Sequence, residues 1–179
     1  ADPFLARLVQ NARAFSPAPG IRGGTLRVPV YDIADTVDPF SSVPARRLPG
    51  RLLFEPLARI DPVTGTPAPN LAERWEHDSS YTLWTVYMRP GLLWSDGSRL
   101  SAFDAEWTLR TCAPRRLQGN EWITTSVVDS NVFEIRTTSS SRLIPWYLAL
   151  PVIPVNTASG RRLHDAGLRS SGPFAAPRY

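Results

Sequence analysis

A mixed α/β architecture follows from three stretches of this 179-residue chain. The run Tyr81 to Met88 alternates, with Leu83, Thr85 and Tyr87 on one side and Trp84, Val86 and Met88 on the other, the two-residue period of a strand. Large residues on both sides make it a central strand. Ser101-Ala102-Phe103-Asp104 has the spacing of a capping box, and so opens a helix. Ile123 to Val128 and Val132 to Thr137 read as two further strands joined by Asp129-Ser130-Asn131. Strand, helix and strand pair follow one another with no internal repeat.

The remaining elements are justified in chain order. Residues 3 to 15 form a short amphipathic helix with Phe4, Leu5, Leu8 and Ala12 on one side, either a surface helix or leader, or the tail of an upstream domain. Residues 16 to 24 are a Pro/Gly linker. The division is therefore 1–24 as helix and linker and 25–179 as the main body. Thr25 to Val30 alternates as a strand, with Pro29 at an edge or bulge because it has no N–H. Residues 40 to 48 are irregular, and Pro49 opens a helix running through Leu57, its fixed φ suiting the first turn.

Asp61-Pro62-Val63-Thr64-Gly65 is a reverse turn, and Leu71 to Trp75 is read as a short helical turn. Trp75-Glu76-His77 pairs with the strand from Tyr81 across Asp78-Ser79-Ser80. Two tight turns, Pro90-Gly91 and Ser95-Asp96-Gly97-Ser98, lead to the helix, which carries Phe103, Trp107 and Thr111 on one side. Leu143 to Leu150 reads as a short apolar helix interrupted by Pro145, and Pro151 to Pro154 as an extended return.

Composition excludes several classes. All 20 basic residues are arginine and the net charge is +4, but the arginines come singly or in the pairs Arg46-Arg47, Arg115-Arg116 and Arg161-Arg162. With no basic block and no nucleic-acid motif, the sequence gives no case for a nucleic-acid partner. No apolar run reaches the ~18 residues of a membrane span. There is neither a charged-then-apolar leader nor a lipobox cysteine, as expected of a mature or trimmed exported chain. Cys112 is the sole cysteine, so no intrachain disulfide forms; near a helix end it reads as a small buried apolar group. His77 and His164 lie far apart, which argues against a metal site.

Enzyme chemistry finds little footing. The chain lacks a GxSxG elbow, a P-loop and a GxGxxG fingerprint. Asp96 and Asp104 could be imagined as an acid pair, but one precedes Gly97 in a turn and the other is the third position of a capping box. Trp75, Trp84 and Trp94 could stack sugars or bases, or pack a core; at least one is expected in the core. No cofactor is expected.

An ordered series of motifs carries more. A strand enters Asp38-Pro39, then come Leu53-Phe54-Glu55-Pro56-Leu57, Pro69 with Leu71-Ala72-Glu73 and Trp75, Arg89 with Gly91, Trp94, Asp96 and Gly97, and finally Ala102 and Asp104. In this order and spacing, from about Thr25 to Pro154, the chain resembles the peptide/nickel family (family 5, oligopeptide- and dipeptide-binding) of ABC-transporter solute-binding proteins. It departs in a shorter loop after Cys112, bulkier or more polar strand residues at Trp84 and Tyr87, a proline-started helix near Pro49, and Ser170-Ser171-Gly172-Pro173-Phe174 where the family keeps Gly-Thr-Gly-Pro-Tyr.

The resemblance implies a two-lobed, type II periplasmic-binding-protein-like fold that closes on its ligand like a flytrap. Members are about three times this length, so the chain is expected to be an N-terminal part, an incomplete first lobe lacking returning strands and a second lobe. The expected function is extracytoplasmic solute binding for an ABC importer, in periplasm or cell envelope. The implied partners are a peptide or other small-molecule ligand, the membrane permease and the rest of the fold. Phe40, Ser41, Ser42 and Val43 are the candidate ligand-binding residues, holding an extended peptide through main-chain hydrogen bonds. Relatives of the fold also carry nickel chelates, sugars and opine-like compounds. A ligand-sensing regulatory domain of the same fold, or a half-lobe serving only structure or interaction, are the other readings.

Overall fold

Alternation in the strand Leu83–Met88 buries every second side chain: Trp84, Val86 and Met88 are inside, while Leu83, Thr85 and Tyr87 are half-exposed. In the computed structural model the described residues are 36–37, 40, 50–112, 123–154, 161–162 and 169–172, with 36–37, 112 and 161–162 described as backbone. The strands are β1 (Thr36–Val37), β2 (Ala58–Ile60), β3 (Pro67–Pro69), β4 (Ala72–His77), β5 (Leu83–Met88), β6 (Ile123–Asp129), β7 (Val132–Thr137) and β8 (Arg161–Arg162). The helices are α1 (Ala102–Cys112) and α2 (Ile144–Tyr147), with a further helical stretch at 50–53. The expected N-terminal helix, linker and 25–30 strand lie outside the described residues.

The main sheet runs β4-β5-β7-β6, antiparallel throughout, so β5 is central as expected. Register sets Trp84 opposite Ile135 and Val86 opposite Phe133, and these four form the buried face. The other face is polar: Arg74 stacks on the Tyr87 ring at 3.7 Å and bonds Glu76, whose carboxylate also accepts from the Tyr87 hydroxyl. Both outer strands have a register shift, between Ala72 and Arg74 in β4 and between Val127 and Asp129 in β6, which bends each edge away from continued pairing.

Helix α1 lies on the buried side, against β6 and β7. At its start the Asp104 carboxylate accepts from the Ser101 N–H at 3.0 Å, the reciprocal half of the capping box, while the Ser101 hydroxyl donates to that same carboxylate. Of the side read from the sequence, Trp107 packs partly buried against the core while the two flanking residues face solvent. Phe103 is 56% exposed and Thr111 exposed, whereas Ala102, Ala105, Thr108 and Leu109 are buried. Small residues at Ala102 and Ala105 let the helix approach the sheet closely.

Three other elements differ from expectation. The helix at 50–53 stops at Leu53, not Leu57, because Pro56 disfavours helical backbone at Glu55 and lacks an N–H; Pro56 instead bridges Pro151. Residues 72–77 are strand and not a helical turn, held by pairing with β5. Helix α2 is only four residues long, with Pro145 in its first turn, where proline starts a helix better than it interrupts one. The 61–65 turn forms as read: the Asp61 carboxylate accepts from Val63 N at 2.7 Å and Thr64 N at 2.9 Å, and Gly65 takes φ +70°.

The extended segment after α2 is pinned to the core. Val152 N–H donates to the Glu55 carbonyl at 2.9 Å, and Ala58 N–H to the Leu148 carbonyl at 2.9 Å. Thr108 Oγ1 accepts from the Ile153 N–H at 3.0 Å and lies 2.8 Å from the Asp104 carbonyl.

Candidate functional site

The expected binding residues follow β1, the two-residue strand that pairs antiparallel with β8, Thr36 opposite Arg162 and Val37 opposite Arg161. This ladder carries the Arg161-Arg162 pair to the strand from which the candidate segment departs. Phe40 sits in a turn three residues beyond β1, partly buried and packed against the main core. Ser41, Ser42 and Val43 lie outside the described residues. The structure therefore anchors the first candidate residue to the core.

A second crossing ties distant chain segments together. Residues 169–172 run as a strap between the 94–98 turn and the 52–55 backbone. Ser95 N–H donates to the Ser170 carbonyl at 2.8 Å, and Ser170 N–H donates to Ser95 Oγ at 3.0 Å. Ser171 and Gly172 N–H groups both donate to the Leu53 carbonyl, at 2.9 and 2.8 Å, and Glu55 N–H donates to Ser171 Oγ at 2.9 Å. Gly172 is required by proximity: a Cβ there would lie 2.5 Å from the Leu52 carbonyl oxygen. The weakened motif at 170–174 thus still docks at its first three positions, small residues allowing the backbones to touch.

Charge reinforces the strap. Arg169 Nε lies 3.9 Å from Asp96 Oδ2, its Nη1 donates to Ser98 Oγ at 3.2 Å, and its guanidinium carbon lies 5.9 Å from the Trp94 ring centre. The Ser98 hydroxyl and N–H, then Arg169, hold the Asp96 carboxyl below its ordinary range. Asp96 and Asp104 are each committed to local backbone, so they do not make an acid pair. Trp84 and Trp94 are buried, and Trp75 packs partly buried against the same core, which decides the tryptophan set in favour of packing. Among the described residues no group of three or more His, Cys, Asp or Glu is placed to hold a metal ion.

This arrangement, a bulged antiparallel sheet backed by one helix and strapped to a distant segment, is the mixed α/β build of part of a periplasmic binding protein. It superposes with a TM-score of 0.64 on the dipeptide-binding protein from Pseudoalteromonas sp. SM9913 solved with Met-Leu, covering 82% of this chain and 36% of that one; at 15% identity the likeness is one of fold. The chain belongs to the bacterial extracellular solute-binding proteins, family 5, whose middle-region model matches residues 66–178. That is a family of ABC-transporter binding proteins and not of enzymes.

Two sequence relatives agree. A probable ABC transporter-binding protein of Deinococcus radiodurans is 31% identical over 109 residues, 61% of this chain and 16% of that protein. The periplasmic oligopeptide-binding protein OppA of Salmonella typhimurium is 43% identical over 54 residues, 30% of this chain and 10% of its own length. The chain thus spans a small part of the length of the relatives it matches.

Sequence reasoning marked residues 170–174 as a partly kept family motif but gave them no role in the fold. The strap residues are small and ordinary, and only the three-dimensional crossing against residues 52–55 and 94–98 shows their role.

Proposed function

We propose that this chain is part of the extracytoplasmic receptor of an ABC importer, and that it supplies an incomplete first lobe of a two-lobed, type II fold. Residues 25–179 contribute to that lobe, and residues 1–24 are a preceding helix and linker. The rest of the polypeptide supplies the returning strands and second lobe that close on a peptide or similar small solute. The membrane permease then receives the solute. The match of residues 66–178 to the family carries this reading.

Within it, Phe40, Ser41, Ser42 and Val43 offer main-chain groups to an extended ligand, added as a strand beside β1. The Phe40 anchor supports this assignment, because a fixed start to the segment limits the entropy lost on binding.

The test uses the whole natural polypeptide, titrated calorimetrically and by thermal melting with mixed short peptides and, separately, nickel–histidine. Binding stabilises the folded form by about 2.7 kcal/mol at 100 times Kd, so heat release and a raised Tm are expected with peptides. No heat and an unchanged Tm with both probes would overturn the receptor reading.

A further inference from the structure

We draw no further inference here: the strongest candidate, the exposed apolar surface where the Trp146 indole of α2 donates to the Gly65 carbonyl in the turn that carries Val63, is an unpartnered face, and nothing in the structure shows what covers it.

Discussion

Gly172 shows how one missing methyl group sets a backbone crossing. The atoms a Cβ would meet are the carbonyl oxygen of Leu52 at 2.5 Å and the carbonyl group of Leu53 at 3.0 Å, all main chain and unable to swing aside. Gly172→Ala is expected to cost about 1–3 kcal/mol, visible as a lower denaturation midpoint in the whole protein with an unchanged slope. At the same scale, three solvent-accessible carboxylates titrate low. The Ser80 hydroxyl and then the Leu83 N–H hold Asp78 down, the Thr64 and Val63 N–H groups hold Asp61 down, and Ser98 holds Asp96 down. A depressed folded-state pKa gives stability that is present above the unfolded value, about 3.9 for Asp, and is lost as pH falls through the folded value. Asp78→Asn should therefore melt below the natural protein near about pH 6, with the gap closing as pH drops under about 4. Melts showing a gap independent of pH would count against the charged form.

Elements were legible where a local signal and the tertiary context agreed. The β4–β5 and β6–β7 hairpins, the Asp61–Gly65 turn and the start of α1 could all be read because turn chemistry and alternation are local. The failures came where context ruled. Leu71-Ala72-Glu73-Arg74-Trp75 holds good helix formers, yet pairing with β5 makes residues 72–77 strand. The inner face of α1 was not read at all, because Ala102 and Ala105 carry too little hydrophobic signal to mark it. Thr108 belongs to this scale, joining α1 to the extended return through Ile153. Thr108→Val keeps the shape and strands a buried Ile153 N–H, so a loss of about 1–3 kcal/mol is expected. Thr108→Ser should recover most of it, measured by chemical denaturation.

For the whole molecule, the fold class and family were legible in an ordered series of weak motifs, whereas the candidate site was barely so. The proposed recognition uses main-chain groups, which look alike for every residue, and of its four members only Phe40 is among the described residues. That mechanism makes a sharp prediction for the complete receptor. Ser42→Ala should leave peptide affinity within about twofold, while Ser42→Pro removes an N–H and should weaken it roughly tenfold, the equivalent of about 1.4 kcal/mol. Titration calorimetry separates the two; equal losses would mean that the side chain, not the backbone, is read. The edges of the main sheet are also guarded against pairing with another strand. The register shifts in β4 and β6, with Glu73, Arg74, Glu76 and His77 exposed along β4, protect the four-stranded sheet from edge pairing.

The strap also has a consequence in time. Glu55 waits for Ser171, 116 residues later in the chain, before its N–H finds its acceptor. At about 5–20 residues per second of synthesis, that interval is on the order of ten seconds. Until it elapses, the Leu53 carbonyl and Ser95 lack their strap partners on a nascent chain whose hairpins have already emerged. If the proposed receptor is exported through a channel that threads unfolded chain, a closure that depends on so late a segment would lengthen the time open for translocation.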